Sequence, residues 1–123
     1  MQITLAEEPV EGFPLVIPTG PISADSLIEL GQFIRETCTE QELGGVVIDC
    51  QSIQGALSPA VIHSATPAFV QEVGRSIKVG YINPPPQWSP TVDQFSRNIA
   101  YNRGGLLEMF DSLANAVQWL RQT

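Results

Sequence analysis

The sequence is poor in the residue types that several classes of site require. Its 123 residues include two cysteines, Cys38 and Cys50, and one histidine, His63. Two cysteines are too few for a disulfide framework, and their positions match no metal-ligand spacing. A single histidine leaves any metal cluster or histidine-based triad dependent on one position. We therefore expect two reduced thiols, no metal site and no cofactor.

Basic residues are also scarce. Six Lys and Arg stand against thirteen Asp and Glu, which gives a net charge of −7. A negative surface repels phosphate backbones and anionic lipid headgroups. The composition therefore disfavours nucleic-acid binding and favours basic proteins or uncharged ligands as partners.

Targeting and membrane-spanning patterns are missing from the sequence. The start, Met1–Thr4, lacks the basic and apolar regions of a signal peptide. No apolar run approaches the roughly 20 residues that a bilayer requires. The expectation is a cytoplasmic protein without a membrane span, and the length fits a single domain over residues 1–123.

Three apolar runs predict the middle of a β-sheet. Val46–Ile48 is a continuous β-branched run, typical of a strand buried on both faces. Ile77–Ile82 and Leu106–Phe110 are the next two predicted strands. Two further short segments, Ile3–Glu8 and Leu15–Ile17, predict one or two N-terminal strands, and the prolines flanking the second favour an edge position.

Helix signals fall between these strands. Ser23 is a good N-cap for an amphipathic helix over residues 24–39. Ser58-Pro59 and Ser89-Pro90 each place proline at a first helical position. Asp111–Leu120 predicts the last helix, whose apolar positions could support a homodimer.

Two details of the helical segments carry further expectations. Gly31 lies inside the first helix, where glycine costs roughly 1 kcal/mol relative to alanine, and we interpret it as a close-packing position. Thr66-Pro67 should kink the second helix or restart it as another. The segment Cys50–Leu57 has no helical period and is expected to form a loop. Alternating strands and helices predict an α/β fold with a mostly parallel sheet.

Asp49 and His63 are the polar candidates for a site near the predicted sheet. Asp49 ends the central strand, and ligands gather at the carboxyl ends of parallel strands. A phosphoacceptor aspartate is one interpretation, but the matching acidic pair and lysine are missing; a loop-capping aspartate is the other. His63, with Ser58 and Asp49, could form a hydrolase triad on paper. The sequence, however, has no G-x-S-x-G elbow and no glycine-rich phosphate loop.

An aromatic residue on a proline-rich loop is the remaining candidate. Trp88 follows Pro84–Pro86, which form a stiff extended segment after a strand. Together with Phe69 and Phe95, Trp88 could line an apolar pocket. The alternative is that Trp88 simply covers the core.

Three stretches together resemble the SpoIIAA-like, or STAS-like, family of small bacterial domains. They are Thr19-Gly20-Pro21-Ile22 before a helix, Gly45–Asp49 followed by a loop into Ser58, and Asn102-Arg103-Gly104 through Phe110-Asp111 to Trp119-Leu120. The resemblance implies a four- to five-stranded mixed sheet, mostly parallel, with four helices packed largely on one face.

The resemblance also implies a role for one serine. In the anti-sigma-factor antagonists of this superfamily, a partner kinase phosphorylates a serine that starts the helix after the central strand. Ser58 occupies that position here. The antagonists carry an Asp-Ser-Ser-Gly-like motif, whereas this chain has Leu57-Ser58-Pro59-Ala60. That difference leaves Ser58 open as a plain N-cap.

The sequence thus supports three functional hypotheses. The first is a non-enzymatic regulatory or binding module that acts on a protein partner or small ligand. The second is a carrier or sensor of an apolar, lipid-like molecule in a crevice near Trp88. The third is an antagonist switched by phosphorylation of Ser58.

Overall fold

The apolar runs of the sequence form the strands of one sheet, and the amphipathic segments form the helices around it. The computed structural model describes residues 1–85, 88 and 90–122, and only the backbone of 90–93, 95 and 96. Its strands are β1 (Gln2–Leu5), β2 (Leu15–Pro21), β3 (Gly45–Asp49), β4 (Ile53–Gln54), β5 (Lys78–Ile82) and β6 (Leu106–Phe110). Its helices are α1 (Ala24–Glu40), α2 (Pro59–Val73), α3 (Pro90–Asn102) and α4 (Leu113–Leu120).

The sheet follows the order β1-β2-β3-β5-β6, with β4 attached to β2. Among the strands named above, β1 pairs with β2 in an antiparallel direction; the pairs β2–β3, β3–β5, β5–β6 and β2–β4 are parallel. The three central predicted segments therefore lie side by side and point the same way. The predicted mixed, mostly parallel α/β sheet is confirmed.

Two apolar clusters cover the two faces of the sheet. Val46 and Ile48 of β3 face α1 and α2, whereas Val47 between them faces α4. All three are at most 3% exposed, which explains why the run is apolar without alternation. Since α3 packs beside α2, three helices share one face and α4 covers the other.

The expected edge position of the proline-flanked strand is wrong, because β2 lies between β1 and β3. Its parallel pairing with β3 involves Leu15 and Val16, and its pairing with β4 begins at Gly20. Pro18 falls between these two pairings, so its missing N–H removes no parallel ladder bond.

Two other local expectations also need correction. The predicted loop Cys50–Leu57 contains β4, a strand too short to show a periodicity in the sequence. The second helix does not restart at Pro67 as another helix, since α2 is continuous from Pro59 to Val73, and the alternative of a kink at Pro67 stays a prediction. Phe69 and Val73, beyond the proline, are buried in the same cluster as α1, and this packing holds the later turns in place.

Gly31 is confirmed as a close-packing position between α1 and α2. A Cβ at Gly31 would lie 3.0 Å from the Cβ of Glu72 and 3.2 Å from atoms of Phe69. The two helices could not approach this closely with a larger residue there.

We expect Gly31→Leu to lower the free energy of unfolding by about 1–3 kcal/mol, because the new side chain must displace α2. Urea denaturation would measure the loss. Gln32→Leu is the matched control, since Gln32 is exposed one position along the same helix. Equal stability of the two variants would contradict the close contact.

Burial also determines the chemistry of Cys38, which is 1% exposed in the main core. Burial raises the pKa of its thiol from 9.0 to about 11. The thiol is therefore protonated at neutral pH and is a poor nucleophile.

This shift predicts a pH dependence of stability. Between pH 9 and about 11 the unfolded chain loses the Cys38 proton while the folded chain keeps it. The free energy of unfolding should therefore fall across this window as the pH rises. Denaturation at several pH values should show a weaker fall for Cys38→Ala than for the wild type. Identical pH dependence in the two proteins would contradict a raised pKa.

Candidate functional site

The carboxyl ends of β2, β3 and β5 meet at one edge of the sheet, here called the carboxyl edge. The loop from Cys50 to Ser58 runs across this edge and is held by backbone hydrogen bonds. The Gly20 N–H donates to the Ser52 carbonyl at 3.2 Å, and the Ile22 N–H donates to the Gln54 carbonyl at 2.9 Å. These bonds hold β4 beside the end of β2, in parallel.

Asp49 lies at this edge, half-buried at the end of β3. Its Oδ1 accepts hydrogen bonds from the Gln51 N–H at 3.1 Å and from Asn83 Nδ2 at 3.2 Å. The first bond is the Asx-type contact of a loop-capping aspartate. The second ties the loop after β3 to the loop after β5.

Ser58 is the N-cap of α2 and lies at the carboxyl edge. Its Oγ accepts a hydrogen bond from the Val61 N–H at 3.3 Å, and Pro59 occupies the first turn. Ser58, Pro59 and Ala60 are all exposed. A solvent-accessible hydroxyl therefore stands at the positive end of the α2 dipole.

The structure does not assemble Ser58, His63 and Asp49 into a triad. Ser58 Oγ is bonded to Val61, and the Asp49 carboxylate is bonded to Gln51 and Asn83. His63 is exposed on α2. His63 comes five residues after Ser58, and this spacing places it about 140° around the axis of α2 from Ser58. The arrangement lacks the serine–histidine–aspartate alignment that hydrolysis requires.

The predicted pocket residues have packing roles where they are described. Phe69 is 4% exposed in the main core. Trp88 is half-buried against the same cluster, and its Nε1 donates a hydrogen bond to the Gly55 carbonyl at 2.9 Å. The Phe95 side chain and the predicted Ser89 cap lie outside the described residues.

An apolar pocket does touch Phe69, but Trp88 is not among the residues that line it. Its lining includes Val70, Leu106 and Leu107, and its volume is about 10 Å³. That leaves room for about one water molecule. This pocket cannot hold a lipid-like molecule without rearrangement.

Sequence reasoning missed two residues that organise the edge, Asn83 and Gly55. Asn83 has φ 54°, and Gly55 has φ 79°. Asn at the end of a strand and Gly in a short loop are signals for the left-handed region, so the conformations could have been anticipated. Their hydrogen-bond partners, Asp49 and Trp88, are distant in sequence and could not have been predicted from it.

Two further properties concern only the part of the chain that the structure describes. No group of three or more His, Cys, Asp or Glu side chains there could hold a metal ion. None of the helices there has the length and apolar character needed to cross a membrane.

Trp88→Phe should loosen the loop at the carboxyl edge, because phenylalanine fills much of the same space but cannot donate to the Gly55 carbonyl. We expect a stability loss of about 1 kcal/mol and faster amide hydrogen exchange over residues 52–56. Trp119→Phe is the matched control, since Trp119 packs with Phe110 on the opposite face. Unchanged exchange over residues 52–56 in Trp88→Phe would show that the indole bond does not hold the loop.

Comparison with known proteins shows a similarity of fold. No protein-family model matches the sequence, and no curated protein is significantly similar to it. The crystal structure of an anti-sigma factor antagonist from Mycobacterium paratuberculosis aligns with 98% of this chain and 96% of its own, with a TM-score of 0.58 and 18% identity. The chain therefore has the fold of an anti-sigma factor antagonist, and the SpoIIAA-like, or STAS-like, fold predicted from its sequence is confirmed.

Proposed function

We propose that residues 1–123 act as one non-enzymatic regulatory domain that binds a protein partner at the carboxyl edge. The observation that carries this proposal is the exposed Ser58-Pro59-Ala60 turn at the start of α2, on a fold shared with an anti-sigma factor antagonist. By analogy with that neighbour, the partner is an anti-sigma factor.

The side chains that could take part in catalysis have structural contacts instead, which supports a binding function over a catalytic one. The carboxylate of Asp49 holds two loops together, and the hydroxyl of Ser58 caps a helix. The thiol of Cys38 is buried, with a raised pKa. Each of these groups has a structural contact that accounts for its position.

The rigidity of the loop supports a macromolecular partner. Its backbone is bonded to β2 at Ser52 and Gln54, and its Gly55 carbonyl is bonded to Trp88. A surface that is already ordered loses little conformational entropy when a partner binds. Phe69 is buried in the core and Trp88 packs against it. This packing weakens the case for an apolar-ligand crevice between the two side chains.

Phosphorylation of Ser58 is a second candidate, favoured by the exposure of this N-cap hydroxyl. A phosphate group would add roughly −1.5 to −2 charges at a helix N-terminus, where the dipole stabilises it. The added charge would alter the docking surface without unfolding α2. In this proposal Ser58 is the regulatory position and the partner kinase is the modifying enzyme.

Ser58→Asp tests where the partner binds. Aspartate is as good an N-cap as serine, so α2 should remain folded, while its charge at the centre of the contact should weaken binding by about tenfold or more. Calorimetric titration with each purified anti-sigma factor of the organism would measure the affinity. Ser76→Asp is the control, because Ser76 is exposed where the chain enters β5, at the opposite edge of the sheet.

Two results would count against the proposal. Wild-type affinity in Ser58→Asp would show that the partner does not contact the start of α2. Failure of every anti-sigma factor to bind the wild-type protein would remove the proposed partner class.

A further inference from the structure

The end of the sheet opposite the carboxyl edge, called the amino edge below, is formed by three loops. β3, β5 and β6 are parallel neighbours that begin in register with one another. The loops 41–44, 74–77 and 103–105 lead into these strands from α1, α2 and α3. The loops therefore follow one another across the amino edge in the order of the strands that they enter.

Charges of opposite sign lie on different loops of the amino edge. Glu40 ends α1, Glu42 follows it in the loop into β3, and both are exposed. Arg75 lies in the loop into β5 and Arg103 in the loop into β6, and both are exposed as well. The β3 flank of the amino edge is therefore acidic, and its middle and its β6 flank are basic.

The two basic loops touch each other. Gly104 has φ 82°, and a Cβ at this position would lie 2.9 Å from Arg75 Nε. The Arg75 side chain thus packs against the backbone next to Arg103. The two arginines belong to one continuous basic surface.

These four charged side chains have no ion-pair partner in the part of the chain that the structure describes. The other basic side chains are engaged within the fold: Arg35, Arg97 and Arg121 each pair with a glutamate, and Lys78 donates to carbonyls at and just beyond the end of α4. Arg75 and Arg103 are therefore available to a carboxylate from another molecule, and Glu40 and Glu42 to a cation.

The acidic flank is placed unfavourably within its own chain. A helix C-terminus carries a partial negative charge, which favours cations and disfavours carboxylates. Glu40 is the last residue of α1, and this helix has no basic residue in its last turn. Arg75 and Arg103 follow the C-termini of α2 and α3, where a cation is favoured. A cation from another molecule would relieve the repulsion at the end of α1.

Apolar surface accompanies the basic flank. Tyr101, in the last turn of α3, is 75% exposed, and Leu106, the first residue of β6, is 37% exposed. Among the described residues, Leu5 is the other large apolar side chain that is exposed. Aromatic residues and arginine are enriched in protein–protein interfaces. This composition fits a contact with another protein better than a site for a small free anion.

We infer that the amino edge binds a second copy of this chain in a two-fold dimer. β5 lies between β3 and β6. A two-fold axis through the start of β5, at right angles to the sheet, places the acidic flank of each copy opposite the basic flank of the other. Glu40 and Glu42 of one copy then meet Arg103 of the other, and the contact occurs twice. The inference is independent of the proposed function, because the carboxyl edge stays free in this dimer.

The mass of the protein in solution tests the dimer. Sedimentation of the wild-type protein should show a monomer–dimer equilibrium. Its dissociation constant should rise at least about fivefold between about 0.05 and about 0.5 M NaCl, because salt screens exposed charge pairs. A protein that stays monomeric up to about 1 mM at low salt would overturn the inference and leave the amino edge to a different partner. Species that grow beyond the dimer would show an open head-to-tail contact and would also overturn it.

Exchanging the charges tests the two-fold arrangement itself. Glu42→Arg and Arg103→Glu should each weaken self-association by about tenfold or more, because like charges then face each other across the contact. An equimolar mixture of the two variants should form a heterodimer, since every facing pair is then of opposite sign. Wild-type self-association of either single variant, or a mixture that stays monomeric, would contradict the inferred contact.

Glu29→Arg is the matched control, because it changes the net charge as Glu42→Arg does and Glu29 is exposed in the first half of α1. It should dimerise like the wild type, and circular dichroism would verify that all variants are folded. Each variant should also keep wild-type affinity for an anti-sigma factor bound at the carboxyl edge. Failure of the dimer and failure of the proposed function are therefore measured separately.

Discussion

The parallel pairing of β3 with β5 is the constraint on which the rest of the structure depends. Five consecutive residue pairs, from Gly45–Lys78 to Asp49–Ile82, bring the two strands into register. Because both faces of β3 are buried, helices are needed on both sides of the sheet, and α1, α2 and α4 supply them. The same register puts the ends of the two strands next to each other, and with them the loops that carry Asp49 and Asn83.

Close packing of the helices on one face fixes the position of α2 and therefore of its N-terminus. Gly31 allows α1 to touch α2, and Gly105 sits where a Cβ would lie 2.8 Å from Val70. These contacts hold α2 from both sides. A helix that is held in this way presents Ser58 at a defined place above the sheet, which a docking surface requires.

The loops at the carboxyl edge are held together by side-chain hydrogen bonds. The Trp88–Gly55 bond and the Asp49–Asn83 bond join the loops after β3 and β5. The Asp49 carboxylate and the Trp88 indole both take part in this cross-linking. A surface ordered in this way would lose little conformational entropy on binding another molecule.

The sequence alone determined the strands and helices that rest on local signals. The β-branched run Val46–Ile48, the caps Ser23 and Ser58, and the close-packing Gly31 could each be predicted from the residues and their neighbours.

Tertiary structure decided the rest. β4 exists because the end of β2 pairs with it, and α2 continues through Pro67 because later residues are buried against α1. The bonds that organise the site, Asp49 to Asn83 and Trp88 to Gly55, join residues more than thirty positions apart. Local propensity acts over a few residues, whereas such contacts form only after the chain has folded into its sheet.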